Sequence, residues 1–318
     1  MINRWNAKND CITIEDSFEQ LICFSFMYIN AQKAGLQIGD STVPFRGSST
    51  LKDGCEVTDK FGAPLPVDVS GGFFIDDGHV KVTQVTAAVV SALATAVAAD
   101  IDAFEQAGIV QQSLDIIKHG LDYLSASRVT GSDMVVQVGD SRIDEQCSEA
   151  TAENTAEKRK VLSSSRQYPA TDVLGATSGA FFAAAAAYRA AGDESESVRL
   201  NKKARAVLKA LLNTPKGLSV ENPTFSPGQL AVGWRSACFE DEVAWATTWG
   251  CTLEMDEMKA DCFNAAEQLL NEAEQNCQTE KAEIKWNWND VRAGTRFLLA
   301  KYHTNKQNVK ACSLLRHP

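Results

Sequence analysis

Asp68-Val69-Ser70-Gly71-Gly72-Phe73-Phe74-Ile75-Asp76-Asp77-Gly78-His79-Val80-Lys81 runs almost directly into the apolar stretch Thr83 to Gln106. The first stretch reads as loop and the second as helix, ended by Gly108. Working back, Leu36 to His79 is rich in Gly, Pro, Ser and Asp and reads as one long loop. Structureless loops of that length inside a compact domain are usually functional. Before it, Ser17 to Lys33 places Phe18, Leu21, Ile22, Ser25, Phe26 and Ile29 at helical spacing, and Gly35 stops the helix. Working forward, helices are read at Gln112 to Ser127, from Asp172 through Ala183 to Ala187, and at Glu194 to Leu212. Three more follow at Asp241 to Glu254, Lys259 to Asn276 and Asp290 to Tyr302, and Ser132 to Glu157 is a second polar loop. The pattern gives about eight helices and no convincing strand series. Helical hairpins whose long loops gather at one end suit an all-α toroid, where the loops build the site. No fixed-period repeat and no linker divides the chain, so one domain over 1–318 is expected.

Composition narrows the partners. The chain has 318 residues, 44% of them hydrophobic, and a formal net charge of −10, so it can bury a sizeable core. No basic cluster tracks a nucleic-acid backbone, which removes DNA and RNA binding. An acidic surface suits a neutral partner such as a sugar. Val85 to Ala99 is broken by Thr86, Ser91 and Thr95 and is too short to span a bilayer. Neither Met1 to Asp10 nor Leu21 to Tyr28 reads as a signal peptide, so none is expected in this chain. The nine cysteines form no C-x-x-C pair. They read either as buried thiols or as disulfides of a secreted chain with one thiol left over.

Five motifs occur in order. Val43-Pro44-Phe45-Arg46-Gly47-Ser48-Ser49 with Leu51-Lys52-Asp53-Gly54 is similar to I-P-W-R-G-D-S-A-L-N-D-G. Asp68 to Lys81 is similar to D-L-S-G-G-W-Y-D-A-G-D-H-V-K. Val136-Gln137-Val138-Gly139-Asp140, with Asp144 and Cys147 beyond it, is similar to Y-V-Q-V-G-D followed by D-H-x-C-W. Asp241 to Trp249 is similar to D-E-L-A-W-A-A-A-W, and Trp288 to Gly294 to W-D-D-K-R-A-G. Together they resemble the amino-terminal two-thirds of glycoside hydrolase family 9, the inverting endo-β-1,4-glucanases (cellulases).

The resemblance implies an (α/α)6 toroid present to about eight of its twelve helices, without its carboxy-terminal third. It implies β-1,4-glucan as partner, a secreted setting, and sugar contacts at Phe45, Arg46, Phe73 and His79. It also implies a structural calcium held by Asp241, Glu242 and Asp290; the competing reading is an acidic pair at a helix start. Inverting hydrolysis needs a carboxylic acid and a carboxylate base on opposite faces of the scissile bond. Aligned on Gly71-Gly72 and His79-Val80-Lys81, the two aspartate slots hold Ile75 and Gly78, neither of which can take a proton. Asp76 and Asp77 lie one residue away and are the remaining base candidates. No glutamate matches the acid. Glu145, Ser148 and Val82 further replace a histidine and two aromatics of the pattern.

Three readings follow: an active endoglucanase using Asp76 or Asp77, a non-catalytic glucan-binding or assembly module, or a fragment of a longer enzyme. Trp245 and Trp249, four apart, are expected in the core. An open ring is further expected to expose Val291, Phe297, Leu298 and Leu299 on its last helix, favouring self-association or a partner protein there.

Overall fold

The computed structural model describes residues 11, 17–37, 43, 45–57, 65, 67–75, 78–147, 150–155, 159–277 and 286–303. Ten helices among them carry the fold: α1 (Ser17–Ala31), α2 (Thr83–Ala99), α3 (Ile101–Gln106), α4 (Val110–Ala126), α5 (Ser141–Cys147), α6 (Thr171–Ala190), α7 (Glu194–Leu212), α8 (Glu240–Thr252), α9 (Asp256–Asn276) and α10 (Arg292–Tyr302). Helices α2, α6, α8 and α10 follow one another as an inner layer. The outer helices sit in the grooves between them: α4 over α2 and α6, α7 over α6 and α8, α9 over α8 and α10. This is the toroidal arrangement expected.

Sequence explains the layering. Helix α6 is almost entirely buried, and its TDVLGATSGAFFAAAAAYRA composition supplies small residues on every face. A Cβ on Gly179 would lie 2.4 Å from Cδ1 of Trp245, so only glycine lets that indole pack against the helix. Trp245 meets Trp249 edge to face at 5.9 Å, and both are buried in the core as expected. Outer helices are amphipathic instead: α7 buries Ser197, Leu200, Ala204, Val207 and Leu211 at helical spacing and exposes its charges. Asp193 caps it by accepting from the Glu196 amide.

Four details differ from the sequence reading. The stretch Thr83 to Gln106 is two helices, because Asp100 leaves helical geometry and its side chain caps Ala103. A small antiparallel sheet exists, with β3 (Asp133–Val138) pairing β1 (Lys81–Val82), β2 (Arg128–Thr130) and β4 (Val161–Ser163). Strands of two to six residues leave too few alternations to read, and β3 with α5 lies inside the supposed loop Ser132 to Glu157. Of the two cysteine readings, the disulfide one holds: among the described residues six cysteines are paired, as Cys11–Cys23, Cys238–Cys277 and Cys251–Cys262, while Cys55 is a free, exposed thiol.

Finally, the exposed apolar edge is absent. Val291 and Leu298 join the main core, Leu299 packs with Phe263, Ala266 and Leu270, and Phe297 is half-buried. Two long-range hydrogen bonds tie α8 and α10 to α2. Trp245 Nε1 donates to Ser91 Oγ of α2 at 3.4 Å, and Lys301 Nζ of α10 donates to the Ala99 carbonyl of α2 at 3.1 Å.

Candidate active-site loops

The five motifs lie in the loops before α2, on β3 and the turn after it, in the first turns of α8 and at the start of α10. Their organiser is a buried ionic cluster. Asp53 pairs with Lys81 Nζ at 2.7 Å and with Arg159 Nε at 2.8 Å. Lys81 also donates to the carbonyls of Val69, Ser70 and Gly71, so one ammonium gathers the turn before the aspartate slots. Burial pulls its pKa down to about 8 and the Asp53 charge opposes that. Arg159 Nη2 donates to the His79 carbonyl at 2.6 Å, which fixes the segment's other end. Arg159 has no motif around it, and nothing in the sequence marks it.

Arg46 is a clamp. Its Nε donates to Glu153 at 2.9 Å, and its other nitrogens donate to the carbonyls of Ala31 and Lys33. Burial works against the Glu153 charge, but Arg46 and the Gly47 amide outweigh it and bring that carboxyl down to about 2. The guanidinia of Arg46 and Arg159 lie 5.7 and 5.9 Å from the Phe74 ring centroid.

The remaining expected sugar contacts separate. Phe45 is 76% exposed and presents a free ring face. Phe73, only 3% exposed, lies in the core and tilts against His119 at 5.5 Å. It therefore cannot stack on a sugar, which corrects the expectation drawn from the motif. His79 is buried; its ring stands edge to face with Phe74 at 5.9 Å. Its amide donates to Asp144 Oδ1 at 2.8 Å, and Nδ1 lies 3.5 Å from the same oxygen. Asp76 and Asp77 lie outside the described residues. Of the two aspartate slots, Ile75 points into an apolar cluster with Val80, Val82 and Val85. At Gly78, a Cβ would fall 2.0 Å from Asp144 Oδ2, so the room for a side chain is taken by another residue's carboxylate.

Gln137 of the third motif is also structural. Its Nε2 donates to the Gln229 carbonyl at 2.7 Å and its Oε1 accepts from the Ala231 amide at 2.9 Å, joining β3 to the Trp234 turn. Trp234 then meets Trp288 at 5.2 Å.

The acidic trio is engaged residue by residue. Asp290 spends both oxygens on Arg292, at 2.8 and 2.6 Å. Asp241 Oδ2 accepts from the Val291 amide, and Oδ1 lies 3.0 Å from Cys238 Sγ and 3.7 Å from Cys277 Sγ. Glu242 Oε1 accepts from Gln84 Nε2 at 2.6 Å. Calcium wants six to eight oxygens, and here a guanidinium already neutralises Asp290. Asp241, Glu242 and Asp290 as arranged do not fit that ion. Cys238, Asp241 and Cys277 lie close enough to share a metal, but the two sulfurs are bonded to each other and offer no thiolate.

Comparison with known proteins agrees on one family. The model of glycosyl hydrolase family 9 matches residues 18–316. The chain is similar to Endoglucanase 16 of Arabidopsis thaliana, 28% identical over 233 residues covering 73% of this chain and 44% of that one. With Endoglucanase 24 of Oryza sativa subsp. japonica it shares 23% identity over 306 residues, 94% of this chain and 53% of that one. It thus spans about half the length of these curated relatives. Among solved structures, the endoglucanase of the termite Nasutitermes takasagoensis superposes with a TM-score of 0.77 at 22% identity, covering 94% of this chain and 64% of that one. The cellulase Cel9M of C. cellulolyticum, in complex with cellobiose, superposes with a TM-score of 0.73 at 21% identity and the same coverage.

Proposed function

Because the chain belongs to glycosyl hydrolase family 9, we propose that it is an endoglucanase-like protein that binds β-1,4-glucan across its loop face and hydrolyses it poorly or not at all. The ligand class rests on relatives solved with cellobiose and cellotriose. The impairment rests on one observation. The two slots for the base hold an isoleucine packed in apolar surroundings and a glycine whose side-chain space Asp144 fills. General acid–base help is worth about 10²–10⁴-fold per group, so loss of the base alone lowers turnover by that order. The disulfides support export to an oxidising compartment.

Two measurements test this reading. Cellohexaose titrated into the protein should give saturable binding, weakened in Phe45→Ala; the absence of any response up to millimolar sugar would remove the glucan assignment. Carboxymethylcellulose should yield no reducing ends above background. Turnover abolished by Asp77→Asn or Asp76→Asn would instead make the chain an enzyme and identify its base.

A further inference from the structure

A cavity of about 140 Å³ lies between α4, α6 and α7, beside the β2–β3 hairpin. It shares no residue with the five motifs. Leu124, Met134, Phe181 and Val207 make most of its wall apolar. Its size is close to the roughly 150 Å³ of an apolar cavity that takes up a benzene ring.

Two cations stand in the same wall, Lys203 of α7 and Arg128 of β2. Among the described residues neither forms an ion pair. Lys203 Nζ donates to Ser125 Oγ at 2.9 Å, and Arg128 Nε donates to the Gly131 carbonyl at 2.7 Å. The chain has 41 acidic side chains against 31 basic ones, so two unpaired cations beside one cavity run against its overall charge. The carboxylates whose charge reaches Lys203, those of Asp122 and Glu196, are engaged by Lys118 and Arg199 instead. Burial, and next the charge of Arg199, lower the Lys203 pKa. An anion in the cavity would stabilise that ammonium. Thr177 of α6 also lines the cavity, and its buried hydroxyl has no hydrogen-bond partner among the described residues. Such groups are rare enough to require an account.

An apolar body with one anionic head answers both the wall and the cations. A bare inorganic anion leaves the apolar wall uncovered, and a long acyl chain exceeds the volume. We propose that this cavity binds a small aryl carboxylate, with its ring among Leu124, Met134, Phe181 and Val207 and its carboxylate between Lys203 and Arg128. The site is separate from the candidate glucan face and independent of the glucan reading. Its occupant would tie α7 to the β2–β3 hairpin.

The experiment is a calorimetric titration of the whole chain with sodium benzoate, benzyl alcohol and inorganic phosphate, paired with melting curves. Benzoate should bind saturably at millimolar concentration and raise the melting temperature. Benzyl alcohol, which lacks the charge, should bind about tenfold more weakly or worse, and phosphate should give no saturable heat. Ala206→Phe, at an exposed position on the cavity wall, should abolish the benzoate heat. Lys203→Met should weaken benzoate about tenfold or more; should it not fold, Arg128→Gln reads the same charge. Benzoate binding unchanged in either variant would overturn the site, as would equal binding of benzoate and benzyl alcohol. Phosphate binding without benzoate would reduce the cations to a plain anion contact and overturn it too. So would the absence of any benzoate heat. Cellohexaose binding is untouched by all of these outcomes, so the glucan reading is tested separately.

Discussion

At the scale of single residues, the loops are held by groups whose charge state burial controls. His119 Nε2 lies 2.9 Å from the Gly72 carbonyl, and burial, aided by the charge of Lys33, lowers its pKa to about 4. The unfolded chain therefore takes up this proton first. The contribution is complete above about pH 6.5 and is lost as pH falls toward 4, by up to about 3 kcal/mol. Urea midpoints between pH 7 and 4 should fall more steeply for wild type than for His119→Gln; parallel curves would show that His119 is not the group responsible. Gly78 and Asp144 make a second case. Gly78→Ala forces a methyl group into Asp144 Oδ2 and should cost about 1–3 kcal/mol by overpacking. Asp144→Ala in the same chain should recover part of that cost, and a double-mutant cycle with zero coupling would refute the contact. At the calcium trio, Arg292 already answers Asp290, so millimolar calcium or EDTA should leave the melting temperature unmoved. A calcium-dependent rise of several degrees would show that the trio rearranges around the ion.

Among elements, α8 and α9 are antiparallel and stapled at both ends. Cys251–Cys262 closes the near end with a sequence separation of 11, and Cys238–Cys277 the far end with a separation of 39. Loop-closure entropy assigns about 3 kcal/mol to the short loop and about 4 kcal/mol to the long one. Paired cysteine-to-serine replacement should thus destabilise the chain more at Cys238 and Cys277, as read by chemical denaturation; the reverse order would show that local packing outweighs chain entropy. This element pair also shows how far the sequence could be read. The Asp241 to Trp249 motif places α8 and the core role of its tryptophans, because helix periodicity and ring size act locally. The partners that orient it come from distant segments: Gln84 for Glu242, Val291 for Asp241, Cys277 for Cys238. Nothing local encodes such pairings, and for the same reason Arg159 stayed hidden. Phe73 misled because a motif position fixes its place along the chain and not the direction its side chain takes. The small sheet escaped because its strands are shorter than the window that periodicity needs.

For the whole molecule, the inner layer is the firm part and α6 its centre. That helix contacts α2, α7 and α8 and exposes almost nothing. Its amides should exchange with solvent most slowly, near the rate set by global unfolding, while α1, which leaves Leu21, Phe24 and Tyr28 exposed, should exchange early. Equal protection of α1 and α6 would contradict this ordering.

The contact of Lys301 with the Ala99 carbonyl spans 202 residues, and that of Glu242 with Gln84 spans 158. A ribosome adds about 5–20 residues per second. Helix α2 therefore waits roughly 10–30 s for Glu242 and longer still for Lys301 before its contacts with α8 and α10 can form. Such long-range closure slows folding and leaves the nascent chain open to association with its neighbours. The long-range contacts that tie α8 and α10 back to α2 make the chain's synthesis the interval in which it most needs a chaperone.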